Sequence, residues 1–376
     1  MILASFNVEN LFERAKAMNQ ESTNPNDRWQ EGKSILNEFA AFNDLLGKTI
    51  YTDQDKNQIL DFIKAFGLEK DDKGEFVILR QNRGRLITRH KDGSIDVVAN
   101  SRGDWTGWAE LRTEPISDIA ILNTGQVIRD INADVLAIVE ADNRITLARF
   151  SEYVLPKING KPYDHVMLID GNDERGIDVG IMTRSSHPIK SIRSHVDDSD
   201  DHGKIFGRDC PEYLIQTPKN ERLWVLINHL KSKGYGNISE SNERRKKQAK
   251  RVREIYDALT ADGEKFVAVV GDMNDTSDSD SLYPLLSNGS TLKDISDHSQ
   301  FSNGGRPGTY GNCTKSNKID YILLSPDLYK NVLKSGIFRK GVWGGKNGTL
   351  WEIYPEMKKS YHAASDHAAI WAEIDI

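Results

Sequence analysis

Apolar residues in this chain come in short dense runs, and each run meets the same kinds of polar residue. Ile2-Leu3-Ala4-Ser5-Phe6 passes into Asn7-Val8-Glu9, and Val135-Leu136-Ala137-Ile138-Val139 into Glu140. Leu223 to Ile227 ends at Asn228-His229, and Phe266 to Val270 at Gly271-Asp272-Met273-Asn274. Asp320 lies within Ile319 to Leu324, and Ser365-Asp366-His367 precedes Ala368-Ala369-Ile370-Trp371. Apolar runs this short read as buried strands. Each delivers a carboxylate, amide or imidazole to a strand end, so together they can build a convergent metal and acid–base site.

Between these runs the periodicity changes. Ile35, Phe39, Phe42 and Leu46 predict a helix after an Asn-rich loop over 19–27, and Ile59, Phe62, Ile63 and Phe66 a second one ending at Gly67. Strand-like runs follow at 76–79, 85–88 and 95–98, the last two flanking Lys91-Asp92-Gly93-Ser94, a hairpin signal. The stretch from about 13 to 115 thus predicts a helical pair and a small antiparallel meander, inserted into one domain spanning 1–376. Further on, Ile119, Leu122 and Val127 predict a helix leading through Asn132-Ala133 into the Glu140 strand, and helices are expected near 145–155 and 240–259, the last with Ala249, Val252, Ile255, Tyr256 and Leu259 on one face. Strands are expected at 165–169, 179–182 and 213–215, and a Gly-rich loop at 302–311. Strand runs with helices between them favour a two-sheet α/β sandwich over a simple doubly wound sheet.

Composition narrows the class. The chain has 376 residues, 38% hydrophobic and 28% charged, with a net charge of -6. That is enough for a large core, and it gives no global attraction to polyanions. No apolar stretch is long enough for a membrane span, and Met1–Phe6 is too short for a signal peptide, so a cytoplasmic protein with no membrane partner is expected. Two cysteines, Cys210 and Cys313, imply neither a disulfide framework nor a Cys-based zinc site. Oxygen ligands without cysteine point instead to Mg²⁺ or Mn²⁺.

Glu9, Glu140, Asp272 and Asp366 each stand beside a run that should be buried, where a carboxylate needs a cation or hydrogen bonds. Singly, each is open to a capping or salt-bridge role; four at four strand ends favour a shared site. Asp272 and Asn274, two apart, face the same way if the strand continues through them; the alternative is a turn. His229 and His367 are the two histidines at strand ends, and Asp320 is placed to orient one of them. Arg175, Lys231 and Lys233 are candidates for phosphate contacts, with surface pairing or a solvated loop as the alternative. The basic stretch 244–253 reads as a solvated helix face. Arg80, Arg83, Arg85, Arg89, Arg102, Trp105 and Trp108 suit either nucleic-acid binding or ordinary hairpin packing.

Phe6-Asn7-Val8-Glu9, Val139-Glu140, Arg175-Gly176-Ile177-Asp178-Val179-Gly180, Asn228-His229-Leu230-Lys231-Ser232-Lys233, Gly271-Asp272-Met273-Asn274-Asp275, Ile319-Asp320-Tyr321-Ile322 and Ser365-Asp366-His367 resemble, in order, the endonuclease/exonuclease/phosphatase superfamily. The resemblance implies a four-layered α/β/β/α, DNase I-like sandwich and metal-dependent phosphoester hydrolysis. It implies Asn7, Glu9, Glu140 and Asp366 as metal-site residues, with Asp272 and Asn274 activating water and stabilising charge. It implies His367 as the essential histidine, Asp320 as its partner and His229 as a second catalytic histidine. A nuclease acting on DNA or RNA is the leading expectation. A phosphomonoesterase or lipid or inositol-phosphate phosphodiesterase on the same core is the first alternative, and a non-catalytic binding module the second.

Overall fold

The computed structural model describes residues 1–9, 11–18, 25–173, 175–233, 237–287 and 289–376. Most of the loop expected at 19–27 lies outside them. The chain forms two compact units, one comprising Met1–Phe12, Ile116–Lys233 and Ile238–Ile376, the other Glu13–Pro115 with Gly234–Asn237.

The larger unit is built on two sheets. The first takes strands β1 (Ile2–Asn7), β2 (Val135–Ala141), β3 (His165–Ile169) and β4 (Asp178–Thr183). The second takes β5 (Ile189–Arg193), β6 (Glu212–Gln216), β7 (Arg222–His229), β8 (Phe266–Asp272) and β9 (Lys293–Asp294). After them come β10 (Phe301–Ser302), β11 (Asp320–Leu324), β12 (Val332–Phe338) and β13 (Ala369–Ile374). The first sheet runs β10-β12-β13-β1-β2-β4-β3 and the second β5-β6-β7-β8-β11-β9.

Three apolar layers bind them. Leu3, Val135, Val139 and Ile181 of one sheet pack against Val225, Ile227, Val270 and Ile322 of the other. The outer face of the first sheet, with Phe6, Leu136 and Ile138, covers Val127 and Ile128 of α1 (Asp118–Ile131). The outer face of the second, with Trp224, Leu226 and Val269, covers Val252, Tyr256 and Leu259 of α2 (Ile238–Ala261). Helix, sheet, sheet, helix: this is the four-layered sandwich. Central strands bury both faces, which is why their sequences are continuously apolar instead of alternating.

Strand direction then decides where the polar ends go. β1 and β2 are parallel, as are β7 and β8, so all four finish at one edge. β4, β11 and β13 run antiparallel to their neighbours and begin at that edge. Gly271 permits the close approach there: its φ is 126°, and a Cβ would stand 2.0 Å from Asn228 O.

In the smaller unit, helices Pro25–Leu46 and Asp53–Ala65 form as their periodicity predicts, the second opened by a Thr52–Asp55 capping box. Leu36, Phe39, Phe42, Ile59 and Ile63 belong to its core. The expected meander does not form. The run at 77–83 pairs with Thr106–Leu111, a strand the sequence reading missed, while Ile87–Arg89 pairs separately with Ile95–Val97.

The interleaved arginines and tryptophans mostly serve packing. Trp105 is buried with its indole N–H on Tyr51 Oη (3.1 Å), and Arg102 lies over its ring. Arg80 pairs with Glu110, and Arg89 with Asp72 and the Leu68 carbonyl. No helix among the described residues is long and apolar enough to cross a membrane.

Candidate active site

Register assembles the heart of the site. His229 of β7 stands opposite Asp272 of β8, which stands opposite Asp320 at the start of β11. Three neighbouring strands thereby put three ionisable groups in one row. The first sheet answers with Asn7, at the end of β1 and opposite Val139, with Glu140 one residue further along β2. The sheets meet through polar contacts: Asn7 Nδ2 donates to Asp272 Oδ2 (3.3 Å), and His229 Nε2 is 3.4 Å from Glu140 Oε1 and 3.7 Å from Asp272 Oδ2.

His367, just ahead of β13, completes the row from the other side. Its Nδ1 is 2.9 Å from Asp320 Oδ2, and its Nε2 is 3.9 Å from Asp272 Oδ2 and 3.7 Å from Asp366 Oδ1. A backbone relay fixes the ring: Ser365 Oγ donates to Asn7 O (2.7 Å) and accepts from His367 N (2.9 Å). Tyr310 packs on the imidazole at 4.9 Å between centroids, and Thr309 Oγ1 accepts from Asp320 N (3.1 Å). Neither Tyr310 nor Thr309 was legible beforehand, since both sit in a Gly-rich loop with no periodic signal.

Asp272 and Asn274 converge by a turn. The strand ends at Asp272; Asn274 takes φ 54° and its N–H returns to Asp272 Oδ1 (2.8 Å). The turn, not the continued strand, therefore brings them together. Asn274 Nδ2 gives one hydrogen to Leu230 O (3.0 Å) and has a second.

Glu9 and Glu140 are also left-handed, with φ 51° and 65°. Among described non-glycine residues with positive φ they are the only charged ones, the others being Asn132, Asn159, Asn220, Asn274 and Cys313. Asparagine tolerates this region, whereas a glutamate there costs on the order of 1–2 kcal/mol and is kept where function needs it. Glu140→Gly should therefore leave the metal-free melting temperature equal or higher while lowering hydrolysis by at least ~100-fold. A pronounced loss of thermal stability would show that Glu140 holds the fold together instead.

The environment sets opposite charge states on the histidines. Burial opposes a charge on His367, but Asp320, Asp366 and Asp272 outweigh it and raise its pKa well above the ordinary value. His229 goes the other way: burial first, then Arg208 and Arg175, hold it well below the ordinary value and so neutral. Burial, reinforced by Asp320, pushes Asp272 up to about 8.

The remaining sequence candidates divide. Asp366 joins the site, its N–H donating to Glu9 Oε2 (3.0 Å). Arg175 is held bidentately by Asp173, with Nε to Oδ1 at 3.1 Å and Nη2 to Oδ2 at 2.8 Å. Lys231 sits near both Arg175 and Arg208, whose charges, after burial, lower its pKa to about 8. Lys233 is drawn into an ion pair with Asp275.

The helix face expected to be solvated hides an exception. Arg245 is 0% exposed and pairs with Asp275 (Nη2 to Oδ2, 3.0 Å) while also holding the Lys231 carbonyl. Gln248 accepts from Lys231 N at 2.7 Å. Helix α2 thus anchors the loop that follows His229.

The donor set, an amide and several carboxylates with no thiolate, is of the oxygen type that a hard divalent cation takes. Asp272, Asp320 and His367 have ligand atoms within 4.8 Å of one another. His367 Nδ1 is already committed to Asp320, however, so this trio reads as an oriented acid–base group. Asn7, Glu9, Glu140 and Asp366, which the family resemblance implies for an ion, stand at the same edge, Asn7 and Glu140 against Asp272 and His229 and Asp366 against Glu9.

Carboxylates, amides and two differently charged imidazoles thus gather at the rim of a four-layered sandwich. The chain belongs to the endonuclease/exonuclease/phosphatase family, whose model matches residues 117–367; members are generally divalent-metal dependent. Several solved structures are similar. A mannosyl-6-phosphatase from Bacteroides thetaiotaomicron shares 15% identity at a TM-score of 0.49, covering 69% of this chain and 90% of its own. Truncated Caenorhabditis elegans TDP2 shares 15% at 0.47, covering 68% and 90%. The human Nocturnin catalytic domain shares 14% at 0.48, covering 69% and 86%. No curated protein matches the chain in sequence.

Proposed function

We propose that this protein is a Mg²⁺- or Mn²⁺-dependent phosphodiesterase acting on nucleic acid, one family domain carrying an insertion at 13–115. The observation that carries it is the His229–Asp272–Asp320 row, met by Asn7 and Glu140 from the opposite sheet and closed by His367. Asn7, Glu9, Glu140 and Asp366 would hold the cation, which when bound would supply Lewis-acid polarisation of the phosphoryl oxygens.

The chain's own groups account for the rest. Asp272 Oδ2, between the two imidazoles, orients the attacking water and accepts its proton, its raised pKa suiting it to near-neutral pH. His367, kept charged by Asp320, donates from Nε2 to oxygen that gains negative charge, and the second Asn274 amide hydrogen adds to it. His229, kept neutral, is a hydrogen-bond partner and not a fixed charge.

The decisive experiment is a hydrolysis panel of plasmid DNA, single-stranded DNA, RNA, inositol phosphates and bis(p-nitrophenyl) phosphate, with and without EDTA. Metal-dependent cleavage of the nucleic acids and the aryl diester is expected. Turnover confined to phosphomonoesters would overturn the phosphodiesterase reading.

A further inference from the structure

Asp320 and His367 lie against a loop that has little means of holding itself. Glycines stand at 304, 305, 308 and 311, and glycine loses more conformational freedom on folding than any other residue. Such a loop has to be fixed by what surrounds it. Yet Thr309, near its centre and 0% exposed, touches both sides of the dyad. Its Oγ1 accepts from Asp320 N at 3.1 Å and from Ile319 N at 3.2 Å, and its carbonyl accepts from Ala368 N at 2.6 Å. Tyr310 forms an isolated antiparallel bridge with His367, and Gly311 N donates to Asp366 O at 2.8 Å. Any shift of Thr309 is therefore felt by the backbone of Asp320 and of His367 at once.

Arg339 is the side chain that fixes this loop. β12 ends at Phe338, which pairs with Ala369 of β13, so Arg339 emerges at the edge where His367 leads into β13. The residue is 9% exposed, and its Nη2 donates to the carbonyls of Arg306 and of Gly308, the latter at 3.2 Å. The Cys313 thiol, on the far arm of the same loop, also hydrogen-bonds this guanidinium. Nε is enclosed with no hydrogen-bond partner among the described residues.

Gly308 is where the two arms of the loop touch. Its N–H donates to Cys313 O (3.0 Å), and a Cβ there would stand 2.1 Å from Thr314 O. Arg339 thus grips the residue before Thr309, while Asn317 O takes the N–H groups of Thr309 (2.9 Å) and Tyr310 (3.0 Å) from the other side. A buried guanidinium that directs its hydrogen bonds to one loop makes that loop's position depend on it. Neither carbonyl belongs to a reacting group, so Arg339 acts at one remove.

We propose that Arg339 is a positioning residue for the hydrolysis. By holding Arg306 O and Gly308 O it sets Thr309, and through Thr309 it sets the alignment of Asp320 with His367. This rests on the reading of His367 as the charged donor given above, and deepens it.

The test compares Arg339→Met, Arg339→Lys and wild type by two readouts. Methionine fills similar space without a donor, whereas lysine keeps one charged donor for the two carbonyls. With metal, kcat and KM are measured on bis(p-nitrophenyl) phosphate. Arg339→Met should lose about 10- to 100-fold in kcat with KM held within about twofold, because alignment is lost while substrate contacts stay. Arg339→Lys should recover most of that loss. In EDTA, proton NMR follows the downfield N–H resonance of the His367–Asp320 hydrogen bond, assigned by its loss in Asp320→Asn. It should broaden or move upfield in Arg339→Met, at a temperature where that variant is folded, and return in Arg339→Lys.

An Arg339→Met variant that melts lower but keeps the resonance and a wild-type kcat would overturn the proposal, since the arginine would then serve stability alone. A raised KM at unchanged kcat would overturn it as well, by making Arg339 a substrate contact. If Arg339→Met does not fold, Arg339→Gln replaces it in both measurements and decides. Wild type that shows the resonance but hydrolyses no phosphodiester would defeat the functional reading, and the resonance would then decide the role of Arg339 by itself.

Discussion

Asp272→Asn should abolish hydrolysis of bis(p-nitrophenyl) phosphate to within background, a loss of roughly 10³-fold or more, without unfolding the protein. The substitution preserves shape and an oxygen for the Asn274 N–H, but removes the charge that orients water between His229 and His367. Stability should move in the opposite direction to activity. The folded-state pKa of about 8 lies above the ordinary 3.8, so stability tied to this carboxyl is present below about 4 and is lost as pH rises toward 8. The asparagine variant escapes that loss. Its metal-free melting temperature should exceed that of wild type, by a margin widening between pH 4 and 8. Activity within tenfold of wild type would remove Asp272 from the mechanism, and a melting margin that ignores pH would remove its burial as the cause.

His367→Ala is expected to have an effect of similar size, about 10²–10⁴-fold on kcat, for a different reason. It deletes a charged donor and strands Asp320, whose carboxylate loses its partner at 2.9 Å. Leaving a buried charge unpaired costs roughly 3–5 kcal/mol, so this variant should melt lower than wild type. The pH sign is set by the raised pKa: the His367–Asp320 pair contributes fully below about 6.5 and is lost as pH climbs through the folded-state value. The stability gap between wild type and His367→Ala should consequently narrow in alkaline solution. Urea midpoints across pH measure the gap; one that grows with pH would mean His367 is neutral at rest. His367→Asn with His229→Asn as a companion separates the roles, because a neutral His229 contributes no charge to lose.

These roles reached the sequence unevenly. Residues at the ends of fully buried strands were legible, because burial on both faces writes an unbroken apolar run and any polar residue beside it stands out. Asn7, Glu140, His229 and Asp272 are of this kind. Arg245 and Arg208 were not: one hides in a basic stretch typical of a solvated helix, the other in a short loop with no periodicity. The Asp272–Asn274 pair was legible as a pair, but its geometry was not, since Gly, Asp and Asn serve strand ends and turns alike. In the smaller unit Thr106–Leu111 was missed because Trp105 and Gly107 interrupt its pattern, and with it went the pairing that uses up Arg80 and Trp108.

The sequence by itself determined the strand runs, the helices at 3.6-residue spacing, the family and most of the ionisable residues that gather at one edge. Local patterning and burial act on neighbouring residues, so they leave a readable trace. Tertiary structure alone decided that His229, Asp272 and Asp320 form one row, that His367 is charged while His229 is neutral, and that Asp173 is shared by two arginines. Those properties arise from cross-strand register and from charges brought together over long separations in the chain, and no short window of sequence contains all the partners of any one of them.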